Sequence, residues 1–297
     1  MRTGLSFLFL LFCTPALAAV NVFACEPEWA ALAQEIGGDK VKTFAATTAF
    51  QDPHHIEARP SLIARVRSAD LLVCSGSELE VGWLPLLLSQ AGNDRIQPGS
   101  PGYLEASQYV AKLEVPRVID RSMGDVHPGG NPHIQTDPRN IARVAVVLAE
   151  RLAALDAGNA PLYREKEKEF QKRWQAAIAR WQQQAARLKG VPLVEHHKGF
   201  TYLIRWLGMR DVGDLEPLPG IPPTTAHLAQ LVERMKAAPA KMIVYSSYDD
   251  PRAAQFLSQR TGIPAVMLPF TVGGSDKAKD LFGYFDDLIA RLLGLPA

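Results

Sequence analysis

The chain has 297 residues, with 32 lysines and arginines against 31 aspartates and glutamates, so the formal net charge is +1. A nucleic-acid binder shows a basic face or a recognisable module, and neither is present, so nothing in the sequence points to a polyanion partner. Cysteine is too scarce, at three residues, for a disulfide scaffold.

Residues 1–18 read as a secretory signal, with Arg2 as the charged start, the apolar run GLSFLFLLFC, and Ala16-Leu17-Ala18 as the cleavage site. Thr14-Pro15 interrupts the run, which argues against a permanent membrane anchor. Cys13 follows Phe12 instead of a small residue, which argues against lipid attachment. No later segment is long and apolar enough to span a bilayer, so the expectation is a soluble exported protein, periplasmic in location. About 280 mature residues exceed the usual size of one domain, so two domains are expected.

From residue 19 onward, short β-rich runs alternate with helical patterns: VNVFA, EWAALAQEIGG, VKTFAATT, SLIARVRSA, DLLVCSG, GWLPLLLSQAG. Alternation of this kind predicts βαβ units and a mainly parallel sheet. Cys25 and Cys74 end two of the strand-like runs. In an oxidising compartment they can pair if their strands lie side by side, with Cα atoms within about 7 Å. Unpaired, they would be two small buried hydrophobes.

Residues 138–188 are nearly free of glycine. From Pro161 the pattern PLYREKEKEFQKRWQAAIARWQQQAARLKG is amphipathic, with proline at its start and Gly190 just past its end, the asymmetry of a long helix. The alternation then resumes: VPLVEHH, GFTYLIRWLG, MRDVGDL, TAHLAQLVERMKAAP, KMIVYSS, DPRAAQFLSQRTG, IPAVMLPF and a final helix DKAKDLFGYFDDLIARLLG. The expected fold is α/β: an N-terminal lobe over 19–156, a long linker helix over 157–189, and a C-terminal lobe over 190–297. Each lobe has a mainly parallel sheet flanked by helices, on a similar plan.

Six of the seven histidines fall in three close pairs: His54/His55, His127/His133 and His196/His197. His54 follows the strand VKTFAAT, His197 ends VPLVEHH, and Asp249 follows KMIVYSS; in open parallel sheets ligands bind beyond the carboxyl ends of strands. His133, in NPHIQTDPRN, precedes the helix starting near Pro138. Three imidazoles and one carboxylate are a donor set for zinc, whereas calcium and magnesium prefer oxygen alone. Glu57 and Glu195 are near enough in sequence to supply the acceptors that orient ligand imidazoles. Each element also has a plainer reading: a loop histidine as a surface group, Asp249 and Asp250 before Pro251 as a helix cap, and NPHIQTDP as a turn.

At these residues the sequence resembles the zinc- and manganese-specific substrate-binding proteins of bacterial ABC uptake transporters, the ZnuA type. The likeness rests on Asp52-Pro53-His54 with Glu57 and Pro60, on Pro132-His133 with Asp137-Pro138, on His197 with Phe200, Tyr202 and Gly208, and on Ser246-Ser247-Tyr248-Asp249. The long linking helix and TVGGSDKAKDLF fit as well. The resemblance implies His54, His133, His197 and Asp249 as metal ligands, Zn2+ as the transported ligand, and the membrane permease of an ABC importer as partner, with a periplasmic zinc chaperone as a further one. It also implies a monomeric binding protein that is no enzyme, and a rigid helical spine allowing limited rocking of the lobes. Histidine at position 197 favours zinc, since manganese-specific members place glutamate there. The long His-rich loop of many zinc-binding members is missing, and His127 is the sole extra histidine near the site. The alternatives are a manganese carrier of the same family, a zinc hydrolase, which needs an open coordination position and a base, and a metal-stabilised adhesin. GxxxxGK[ST], GxSxG and GxGxxG do not occur.

Overall fold

In the computed structural model, which describes residues 19–120 and 123–294, the strands stop where the apolar runs stop and the polar, glycine-containing connections carry the functional side chains. The signal read over residues 1–18 lies outside the described residues. Among these no helix is long and apolar enough to cross a membrane.

The N-terminal lobe runs β1 (Val20–Ala24), α1 (Pro27–Gly37), β2 (Val41–Ala45), α2 (Pro60–Arg67), β3 (Leu71–Cys74), α3 (Leu84–Ala91) and β4 (Tyr103–Glu105). Its sheet has the order β2-β1-β3-β4 with every neighbour parallel. The three-residue β4 is too short to show a periodic pattern and was not foreseen. β1 and β3 are hydrogen-bonded neighbours, and this brings Cys25 and Cys74 together as a disulfide with Cα atoms 4.8 Å apart.

α4 (Pro138–Leu155) starts at Asp137, whose carboxylate accepts the Arg139 N–H at 2.9 Å, with proline in the first turn where no N–H is missed. α5 (Ala160–Gln184) follows, 25 residues and about 37 Å long. Single 3-10 turns over Ala157–Asn159 and Ala185–Leu188 flank it, so the rod read over 157–189 is one α-helix with a tighter turn at each end.

The C-terminal lobe comprises β5 (Pro192–Glu195), α6 (Thr201–Leu207), β6 (Arg210–Asp214), α7 (Thr225–Ala237), β7 (Met242–Ser246), α8 (Arg252–Thr261), β8 (Ala265–Leu268) and α9 (Leu281–Leu292). Its order β6-β5-β7-β8, again parallel throughout, repeats that of the first sheet. In both, the second strand is laid outside the first and the third returns to the other side, leaving a switch point where a crevice opens.

One apolar core runs beneath both sheets and through the linker. Trp174 and Trp181 of α5, both fully buried, stack edge-on at 5.2 Å, and each packs on Phe285 of α9. Trp174 Nε1 donates to the Pro138 carbonyl at 2.8 Å, which also ties α5 to α4. One face of α5 is buried in a core common to both lobes, and separating them would expose apolar surface at about 25 cal/mol per Å². Further contacts cross the seam directly: Ser247 Oγ donates to the Ala49 carbonyl at 2.6 Å and Tyr202 Oη to the Asn131 carbonyl at 2.8 Å.

Candidate metal centre

Four connections meet at the mouth of this seam, each supplying one of the side chains singled out in the sequence. His54 sits in the turn after β2. The Pro53 carbonyl accepts the indole N–H of buried Trp83 at 2.9 Å, fixing the backbone beside it. Asp52 Oδ1 then takes both the His54 backbone N–H at 3.0 Å and the ring Nδ1 at 2.7 Å. His54 Nε2 is buried and has no protein partner.

His133 enters on the segment that leads into α4. Its backbone N–H donates to Asn131 Oδ1 at 2.9 Å, its carbonyl accepts the Thr136 hydroxyl at 3.0 Å, and Phe270 packs edge-on to its ring at 5.2 Å. It is 1 % exposed. His197 follows β5, and its Nδ1 meets Glu216 Oε2 at 2.8 Å.

The three rings converge. His133 Nε2 stands 3.2 Å from His197 Nε2, and ring centroids are 5.3 Å apart for His54 with His133 and 5.5 Å for His54 with His197. One nitrogen from each lies within 4.8 Å of the other two. Asp249, in the turn after β7, lines the same cavity of about 180 Å3 together with Asp52, His54 and Glu216. Its Oδ2 accepts the Ser246 N–H at 2.6 Å, and its carboxylate is not part of the three-nitrogen group. His127 stacks on His54 at 5.3 Å, its Nε2 buried and without a partner. His55 is exposed, and His196 turns to a separate cavity beside Asp250 and Phe256.

The acceptors that orient the imidazoles are Asp52 and Glu216, which corrects the expectation placed on Glu57 and Glu195. Glu57 is exposed. Glu195 closes β5, and its Oε2 accepts the Phe200 N–H at 3.1 Å, so it caps the start of α6 instead. Asp52 lies two residues before His54, the spacing of an Asx turn, a signal legible in the sequence. Glu216 arrives from the turn after β6, and nothing local marks it.

The electrostatics favour cation capture. Burial, reinforced by His197, His54 and His127, holds His133 well below its ordinary pKa, so it is neutral with a free lone pair. Burial and the same neighbours push His127 down to about 4. At His197 burial acts in the same direction, but the Glu216 carboxylate, then Asp249 and Asp52, outweigh it and raise the pKa. Asp249 is raised by burial, against the pull of His196 and the Ser246 N–H. Three inward nitrogens with acceptors behind two of them and a carboxylate at the rim are a donor set of the kind that suits a borderline metal ion.

The family described as "Zinc-uptake complex component A periplasmic" matches residues 22–293. The manganese ABC transporter substrate-binding lipoprotein PsaA of Streptococcus mitis is 23 % identical over 275 residues, covering 90 % of this chain and 85 % of that protein. The high-affinity zinc uptake system protein ZnuA of Bacillus subtilis is 22 % identical over 240 residues, covering 79 % and 73 %. Among solved structures, a crystal structure of ZnuA superimposes with a TM-score of 0.76 at 20 % identity, over 92 % of this chain and 99 % of that one. A manganese-bound periplasmic metal-binding protein from Candidatus Liberibacter asiaticus gives 0.75 at 16 % identity. With a family match over nearly its whole described length, the chain belongs to the zinc-uptake component A family of metal-transport substrate-binding proteins.

Proposed function

We propose that the protein carries Zn2+ across the periplasm, binding it between the lobes through His54, His133, His197 and Asp249 and releasing it to the permease of an ABC importer. The observation that carries this reading is the 3.2 Å separation of His133 Nε2 and His197 Nε2. Two ligands at about 2.0–2.1 Å on a tetrahedral zinc ion stand about 3.3 Å apart, so the pair is already spaced as an edge of that tetrahedron. Asp249 completes the set by exchanging the Ser246 N–H for the ion, and closing the fourth position leaves no room for an activated water. Delivery rather than hydrolysis follows.

Manganese carriers are among the relatives, but manganese suits carboxylate and carbonyl oxygen, and a site with three nitrogens favours zinc. We take residues 19–156 and 190–297 as the two lobes and 157–189 as the linker, with the chain exported, monomeric, and loaded by a periplasmic zinc chaperone. The test is titration of the mature protein with Zn2+ and Mn2+ beside His197→Ala, with bound metal determined by elemental analysis. One tight zinc equivalent, weakened sharply in the variant, is the expected result; a preference for manganese, or zinc binding indifferent to His197, rejects the assignment.

A further inference from the structure

Between the start of α1 and the segment after β8, the lobes border a further, much smaller cavity. Glu26, Glu28, Gln135, Tyr248, Phe270 and Thr271 are among its walls, and Phe270 and Tyr248 also border the histidines. Its free volume of about 10 Å3 is room for a single water-sized occupant.

Three oxygens of its lining residues are unsatisfied. Glu26 Oε1, Glu28 Oε1 and Gln135 Oε1 are buried without any hydrogen-bond partner, on side chains that are 4 %, 1 % and 2 % exposed. The companion oxygens are engaged: Glu26 Oε2 accepts from Ser75 N and Oγ at 3.2 and 3.0 Å, and Glu28 Oε2 accepts the Thr271 hydroxyl across the lobe seam. Glu80 lies beside them, its Oε1 accepting from Ser75 N at 2.8 Å. Among the described residues, no lysine, arginine or histidine forms an ion pair with any of the three carboxyl groups. Glu26 stands at the N-cap position of α1 and Glu28 lies in its first turn, so the helix dipole offsets only a fraction of the charge.

A water in the cavity would donate two hydrogen bonds and bring no charge. Turning the Gln135 amide over would add one N–H, again without charge. Where these carboxyl groups ionise, above about pH 7 for Glu28 and Glu80, their burial calls for a counter-charge, and the unpartnered atoms on the lining residues are oxygens, which select hard cations. Mg2+ keeps several of its waters, and a cavity the size of one water has no room for them. We propose that this cavity is a second cation site, which takes one monovalent cation of the sodium class between Glu26, Glu28 and Gln135 and so fastens the two lobes beside the Glu28–Thr271 contact. It does not depend on which metal the imidazoles carry.

The test is thermal unfolding of the metal-free mature protein at pH 8 in NaCl, KCl or tetramethylammonium chloride at equal ionic strength. Sodium should raise Tm over tetramethylammonium, saturably and by roughly 2–4 °C. Glu28→Gln, which keeps the shape and an acceptor for Thr271, should abolish that rise, and so should Gln135→Met. Coincident wild-type transitions in the three chlorides overturn the proposal without recourse to any variant. A sodium-specific rise that both variants retain places the cation elsewhere and overturns it as well.

Discussion

Glu216 Oε2 lies 2.8 Å from His197 Nδ1 and accepts the Gly220 N–H at 2.9 Å, so one carboxylate oxygen, itself held by the backbone, fixes the imidazole. The contact places the ring proton on Nδ1 and leaves Nε2 to face His133. Glu216→Gln should weaken zinc binding about 10–100-fold with the fold unchanged, as loss of an orienting acceptor does in other metal sites. Competition against a fluorescent chelator, with circular dichroism as the control for folding, measures it. An unaltered affinity would mean that His197 needs no such support.

The same contact sets the response to acid. Glu216, with Asp249 and Asp52, raises the His197 pKa above its ordinary value of 6.5 despite burial, so this ring holds a proton at a pH where His133 and His127 are neutral. Zinc must displace that proton. Below the raised pKa, apparent affinity should fall by about tenfold per pH unit on its account, and above it this dependence should vanish. Glu216→Gln lowers the His197 pKa and should move the break to lower pH. Titrations between pH 5.5 and 8.5 on both proteins check the shift, and superimposable profiles would contradict it.

The three converging histidines were legible because each is signalled within a few residues: Asp52-Pro53 before His54, Pro132 before His133, Phe200 and Tyr202 after His197. The two-lobed α/β plan and the long helix were legible from alternation and from the proline and glycine bounding α5. What escaped is what the fold brings from a distance. Glu216 is 19 residues from His197 and reaches it because β6 pairs beside β5. Glu28 and Thr271, 243 residues apart, meet where the start of α1 faces the segment after β8. Neighbours of that kind follow from packing, and no local pattern encodes them.

The disulfide offers a test of how the N-terminal sheet is held. Cys25 and Cys74 are 49 residues apart and extend the neighbouring strands β1 and β3. In the chain-entropy account, closing a loop of that length restricts the unfolded chain by about 4 kcal/mol. The double variant Cys25→Ala, Cys74→Ala should lose stability on that scale in urea unfolding, and reductant should have the same effect on the wild type and none on the variant. A loss below about 1 kcal/mol would mean that β1–β3 pairing and packing alone hold the region.

The buried carboxyl groups beside that disulfide predict an unusual dependence of stability on pH. Burial pushes Glu28 up to about 7 against its hydrogen bond from Thr271, and pushes Glu80 up to about 7 against the contacts from Glu26 and from the Gly76 and Ser75 N–H groups. Unfolded, both titrate near 4.5. Between these limits the folded chain binds more protons than the unfolded chain, so stability falls as pH rises. The contribution is fully present below about 4.5 and is lost through about 7, on the order of several kcal/mol for the two together. Paired surface carboxylates give the opposite slope at lower pH, which confines the reading to the window from about 5 to 8. Urea unfolding in tetramethylammonium buffers should therefore give a midpoint that decreases across this window, with a shallower decrease in Glu28→Gln, which has no proton to lose. A midpoint that climbs from pH 5 to 8 in the wild type, or an equal slope in both proteins, would show that these carboxyl groups are ionised in the folded chain at much lower pH than their surroundings dictate.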